Sequence, residues 1–207
     1  MLFNLFHAHA DQFALFNLLR YLTVRSGTAC LTALVLSFLL GGPVIRWLKS
    51  VQRGGQPIRL DGPERHLLEK QGTPTMGGVL ILLAAVGSTL LWADLRNDYV
   101  WAVLFCTLGY GAIGFADDYL KLSRRNTKGV SARGKLVAQV VIGLVSATWI
   151  ALATHGPLAT GLTIPVFKEV LIPFSYAFPL VGTLVMLGAS NAAVSYTHLT
   201  LPTIYSV

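Results

Sequence analysis

The stretch Tyr99–Lys121 reads YVWAVLFCTLGYGAIGFADDYLK: eighteen residues without a formal charge, then two adjacent carboxylates, then a lysine. A helix rising about 1.5 Å per residue covers roughly 27 Å in eighteen residues, close to the ~30 Å hydrocarbon core of a bilayer. A helix on the surface of a soluble domain would show a polar face throughout that length. This one meets no formal charge before Asp117. It reads as a membrane span that ends where the chain reaches water.

Working outward, four more windows have the same character. Ser26–Ile45 is uncharged up to Arg46 and Lys49, Met76–Ala93 up to Asp94, and Leu136–Thr154 up to His155-Gly156-Pro157. Val170–Val194 is uncharged but holds Pro173 and Pro179, so its first turns are expected to be kinked or irregular. The windows predict an all-α, polytopic transmembrane bundle of about five spans, with residues 1–192 forming one transmembrane domain. Charged residues make up 12% and mean hydropathy is +0.62, against roughly 25% charge in soluble proteins. Trp47, Trp92, Trp101 and Trp149 each stand within a turn or two of a proposed helix end, where amphipathic rings favour the interface. Thr160–Lys168 (TGLTIPVFK) has β-branched character and is expected to form a short hairpin outside the membrane. Cys30 and Cys106 lie inside apolar windows without metal-ligand spacing. The first 19 residues hold no Lys or Arg, so no cleaved leader is expected there and the spans themselves would direct insertion.

The basic residues number 16 and are unevenly placed. Arg46, Lys49, Arg53, Arg59, Arg65 and Lys70 fall between the first two spans, and Lys121, Arg124, Arg125, Lys128, Arg133 and Lys135 between the third and fourth. Arg20, Arg25, Arg96 and Lys168 fall on the other side. Basic loops stay in the cytoplasm, which puts the N-terminus outside. The same distribution explains the +7 net charge through the membrane and without nucleic acid.

Four features converge on the predicted cytoplasmic side. Asp117 and Asp118 place two like charges together at a membrane boundary, which is costly and suits a general base or a divalent-cation site facing phosphates. Anionic residues at the C-terminal end of a helix also oppose its dipole. The run Lys70-Gln71-Gly72-Thr73-Pro74-Thr75-Met76-Gly77-Gly78 leads into the second span; Thr73 or Thr75 is placed to cap the helix, and Lys70 beside a helix N-terminus makes an anion site. An ordinary loop-to-helix entry accounts for the same residues. The basic loop Lys121–Lys135 serves either a diphosphate or anionic lipid headgroups. Asn191 stands near the inner end of the fifth window, where a lone amide is more often a helix–helix hydrogen bond than a ligand contact.

Three of these stretches, DGPERHLLEKQGTPTMGG (Asp61–Gly78), the GxxDDYxK pattern around Asp117 and Asp118, and NTKGxxAR (Asn126–Arg133), stand in the order found in phospho-N-acetylmuramoyl-pentapeptide transferases, and the chain resembles that family to about Ala192. The resemblance implies an enzyme of the bacterial inner (plasma) membrane whose active site faces the cytoplasm. It implies transfer of phospho-MurNAc-pentapeptide from UDP-MurNAc-pentapeptide to undecaprenyl phosphate, giving lipid I and UMP, with Mg²⁺ as cofactor and a homodimer at full length. Carried onto this sequence, it makes Asp117, Asp118 and Lys70 catalytic, with the choice of base between the two acids open. It makes Lys121, Lys135, Thr75 and Asn191 substrate contacts. Asn191 is also the metal contact present here, with the remaining metal ligands expected beyond this chain. The competing readings are a sibling polyprenyl-phosphate N-acetylhexosamine-1-phosphate transferase and, from another class, a transporter subunit with Asp117 and Asp118 as intramembrane charges.

After Asn191-Ala192 the family continues with a second asparagine and an Asp-rich loop, whereas this chain reads AVSYTHLTLPTIYSV from Ala193 to Val207. Residues 193–207 are therefore expected to be a non-native tail, and residues 1–207 alone are expected to lack transferase activity.

Overall fold

A computed structural model describes residues 18–19, 21–52, 76–124, 129–154, 161–163, 171–173 and 177–204. Among them are five helices: α1 (Leu22–Val51), α2 (Gly78–Trp92), α3 (Asp98–Ser123), α4 (Ala132–Ala153) and α5 (Phe178–Ile204). The apolar helices expected from the windows are present, and α1, α3 and α4 are long and apolar enough to cross a membrane. The chain divides into two compact units, Met1–Ala132 and Arg133–Val207.

What is buried separates this protein from a soluble one. Within the apolar windows of α1, α3 and α4 only 6%, 11% and 22% of residues are buried. Large apolar side chains point outward instead: Phe38 is 78% exposed and Leu39 67%. Ala84, Ser88, Ala102, Ser146, Ala147 and Thr183 are among the buried residues, together with the larger Leu48, Leu104, Gln52 and Gln139. Small residues at the contacts let backbones approach closely, while lipid takes the place of a core around the rest. In water this distribution would leave far more apolar area exposed than a monomer tolerates.

In the first unit α1 packs on α2 and α2 on α3. The Trp92 indole N–H donates to Thr32 Oγ1 at 2.9 Å, tying the end of α2 to the N-terminal half of α1. Between α2 and α3 the approach is close at Gly111: a Cβ there would collide with the Leu82 side chain. The connection from α2 to α3 spans residues 93–97. Asn97 caps α3 by accepting the Tyr99 amide at 3.0 Å, and Asp98 supplies negative charge to the first turn.

Helix ends differ from the window ends in an instructive way. α3 does not stop at Ala116. It continues through Asp117 and Asp118 to Ser123, because a helix needs apolar residues only while it is in hydrocarbon. α1 likewise carries Arg46 and Lys49 within its last two turns. α2 is shorter than its window, at 15 residues. Met76, with φ of 69°, is left-handed and marks where its N-terminal side departs from helix.

In the second unit the window Val170–Val194 needs correction. Leu171–Pro173 form a strand, and the helix begins at Phe178. Pro173 brings no N–H and cannot continue a helix ladder, whereas Pro179 sits harmlessly in the first turn. The expected hairpin exists but is wider than Thr160–Lys168: Gly161–Thr163 (β1) pairs antiparallel with Leu171–Pro173 (β2), with Leu162 opposite Ile172. A single pair of three-residue strands is the one departure from an all-α fold among the described residues. α4 and α5 meet at Ala147, whose Cβ would lie 3.4 Å from a Cβ built on Gly182.

Candidate functional site

From Asp117 to Ser123, α3 continues for nearly two turns beyond the apolar window. On these turns Lys121 lies four residues after Asp117 and three after Asp118, so all three side chains share one side of the helix. The Lys121 ammonium donates to Asp117 Oδ2 at 2.7 Å and reaches Asp118 Oδ1 at 3.5 Å. One cation thus spans both carboxylates. That answers the electrostatic objection to acids at a helix C-terminus: the local charge is offset by a basic residue in the last turn.

The chain then returns. The backbone N–H of Val130 donates to Asp117 Oδ1 at 2.8 Å. Gly129 lies against the same side chain: a Cβ at this position would fall on Asp117 Oδ1 and within 2.9 Å of Lys121 Cε. Asp117, Asp118, Lys121, Gly129 and Val130 therefore form one polar cluster within the first unit. The side chains of Asp117 and Asp118 are 15% and 31% exposed, so both acids remain reachable from solvent. Beside them Phe115 and Tyr119 stack along the helix with ring centroids 6.3 Å apart, at the boundary where aromatic rings favour the headgroup level.

Chemically, the cluster offers carboxylate oxygens, a cation and a backbone donor at a membrane boundary. It suits anionic phosphate ligands that come with a cation. Mg²⁺ takes oxygen donors and is commonly held by one or two carboxylates with phosphates and water completing the shell. The acid pair fits that role as a partial donor set. Among the described residues no cluster of three or more His, Cys, Asp or Glu side chains occurs.

The other expected site residues are placed differently. Lys70 and Thr75 lie outside the described residues. Lys135 stands in the first turn of α4, in the second unit. Asn191 makes the helix–helix contact that its position allowed: its amide N–H group donates to Gln139 Oε1 on α4 at 3.3 Å and to Leu187 O at 3.0 Å. The residues that sequence reading passed over are Gly129 and Val130. The glycine was visible at the end of Asn126-Thr127-Lys128-Gly129, but its basic neighbours drew attention to charge, and a backbone donor leaves no mark in a sequence.

Residues 70–82 match the Phospho-N-acetylmuramoyl-pentapeptide-transferase signature 1, which runs from Lys70 into the first turns of α2. The chain is 71% identical over 192 residues to the phospho-N-acetylmuramoyl-pentapeptide-transferase of Granulibacter bethesdensis, covering 93% of this chain and 53% of that protein. It is 54% identical over 193 residues to the protein of that name in Gluconobacter oxydans, with the same coverage. With that of Maricaulis maris it shares 47% over 197 residues, 93% of this chain and 54% of the relative. The chain spans about half the length of the curated relatives it matches. With the signature at the entry to α2 and this identity along nine-tenths of its length, the chain belongs to the phospho-N-acetylmuramoyl-pentapeptide-transferase family.

Proposed function

We propose that this chain supplies part of the catalytic centre of an integral membrane transferase that moves phospho-MurNAc-pentapeptide from UDP-MurNAc-pentapeptide to undecaprenyl phosphate. A phosphate oxygen of the lipid attacks the sugar-bearing phosphorus, the bond to the UMP phosphate breaks, and UMP leaves. The products are lipid I and UMP. The observation that carries this reading is the Asp117–Asp118–Lys121 cluster on the part of α3 that extends past its apolar window.

Each residue has work to do in such a reaction. Lys121 brings positive charge to a meeting of two anions, the main obstacle to phosphoryl transfer. The acid pair would hold Mg²⁺ together with the substrate phosphates; when bound, that ion supplies further charge neutralisation. Lys70 and Thr75 at the entry to the second span, and Lys135 in the first turn of α4, would bind the remaining phosphate charge, and Asn191 would lie near the nucleotide. The distribution of basic residues supports a cytoplasmic site and an N-terminus outside, since twelve of 16 lie in the two loops that join spans one to two and three to four.

The test uses this chain extended with the part of the Granulibacter bethesdensis relative that it does not span, purified in lipid nanodiscs. UMP release is expected with UDP-MurNAc-pentapeptide and undecaprenyl phosphate, and is expected to stop on chelation of Mg²⁺. Release from UDP-GlcNAc in place of the muramoyl substrate would assign the chain to a sibling transferase. Residues 1–207 assayed in parallel test the expectation that they are inactive by themselves.

A further inference from the structure

In the second unit, α4 buries Gln139, Gly143, Ser146 and Ala147. At i, i+4, i+7 and i+8 they share one face of the helix, and α5 packs there. Ala147 meets Gly182, and Gln139 meets Asn191. At 1.5 Å per residue these two contacts lie about 12 Å apart along α4 and about 13 Å apart along α5. The sequence number falls on α4 as it rises on α5, so two antiparallel helices meet in one register.

The polar groups on this seam are held in two ways. Ser146 Oγ donates to Ile142 O at 2.8 Å and Thr183 Oγ1 to Pro179 O at 2.7 Å, each hydroxyl turning back on its own helix. Gln139 reaches across instead. Its Oε1 accepts from Asn191 Nδ2 at 3.3 Å, and the same Nδ2 group donates to Leu187 O at 3.0 Å. Gln139 is 6% exposed, so packing fixes its carboxamide, whereas Asn191 is exposed. A buried side chain thus orients a reachable one. Lys135 stands one turn before Gln139 on the same side of α4, a Cβ separation of roughly 5–6 Å. The bond therefore brings an amide of α5 close to a cation of α4. A nucleoside joined to a diphosphate calls for that combination, a hydrogen-bonding group for one part and positive charge for the other.

We propose that Gln139 is a positioning residue for the nucleotide-bearing substrate, holding the Asn191 side chain so that it and Lys135 meet the same nucleoside diphosphate. The identity of the substrate rests on the phosphotransfer reading above. The positioning bond does not.

The test titrates UDP-MurNAc-pentapeptide with Mg²⁺ into the extended chain in nanodiscs and follows binding by calorimetry. Gln139→Met keeps the volume and removes the acceptor. It is expected to weaken binding about five- to tenfold, the loss of about one hydrogen bond, and Gln139→Leu should act alike. Asn191→Ala should weaken binding at least as much. In the Asn191→Ala background Gln139→Met should add less than about twofold, because the side chain it positions is gone. In turnover, KM for UDP-MurNAc-pentapeptide should rise with Gln139→Met while kcat and KM for undecaprenyl phosphate stay within about twofold of the parent.

Parent-like binding by both Gln139 variants overturns the proposal, as does an undiminished loss in the Asn191→Ala background, which marks a general effect on packing. A rise in KM for both substrates overturns it too. Without ligand, the Asn191 side-chain amide, followed by NMR in residues 1–207 labelled with ¹⁵N-asparagine, should exchange about threefold or more faster in Gln139→Met; unchanged exchange overturns the positioning bond. If the unmutated extended chain binds the nucleotide but releases no UMP, the phosphotransfer reading falls and the binding series still decides the role of Gln139.

Discussion

Both ends of α3 run into a turn, and the two turns are built on opposite principles. At the Asp98 end three bonds are local. Asp94 Oδ1 accepts the Arg96 amide at 3.1 Å, Asn97 accepts the Tyr99 amide, and the Trp101 indole donates to Leu95 O at 2.9 Å. Each of these bonds joins residues no more than six apart, and all are exposed. At the Ser123 end the decisive bond reaches from Asp117 to Val130, across a glycine whose Cβ would meet the Asp117 carboxylate. The first turn satisfies a helix end. The second sets the position of a charge cluster, which a turn closed only by its near neighbours does not do. Substitutions at the first end should therefore cost modest stability and leave chemistry intact, whereas those at the second should cost activity first.

That contrast can be broken in several places. The largest effect is expected from Gly129→Val in the extended chain: UMP release should fall about 10²-fold or more, because the side chain displaces the Asp117 carboxylate while the apolar spans remain as they are. An unfolding midpoint close to that of the parent shows that positioning, and not folding, was lost. Between the two ends, Gly111→Val forces Leu82 out of its rotamer and should destabilise the first unit by about 1–3 kcal/mol, read as a lower midpoint in detergent unfolding. Asn97→Ala removes the α3 cap and should cost about 1 kcal/mol with UMP release within about twofold of the parent. The smallest effect belongs to Trp92→Phe, which gives up the bond to Thr32; such bonds between membrane helices average about 0.6 kcal/mol. A double-mutant cycle with Thr32→Val isolates that value. Should Asn97→Ala cost as much activity as Gly129→Val, the distinction between the two turns disappears.

Much of this architecture was legible in the sequence because hydrocarbon imposes a simple rule on composition. Uncharged windows marked α1, α3 and α4, and the proline content of Val170–Val194 gave warning that the fifth helix would start late. The window rule failed where the physics behind it stops. It ended the third span at Ala116, since charge is excluded from lipid, but a helix does not require lipid to continue, and α3 runs on to Ser123. The two acids therefore sit inside a helix and not at its frayed end, which is why Lys121 reaches both of them. The acid pair and Lys121 were legible because charged side chains are conspicuous in an apolar chain. The Val130 amide was not, since every residue except proline carries one, and only the fold says which of them meets a carboxylate. Asn191 was open to two readings in the sequence, and its bond to Gln139 shows the helix–helix one.

The central claim is that the end of α3 beyond its apolar window does the chemistry of phospho-sugar transfer. It is tested most directly by UMP release from the extended chain and its Asp118→Asn variant, with UDP-MurNAc-pentapeptide, undecaprenyl phosphate and Mg²⁺. The account predicts steady release by the parent and a loss of about 10³ or more in the variant, at an unchanged unfolding midpoint. Parent-like release by Asp118→Asn would contradict it.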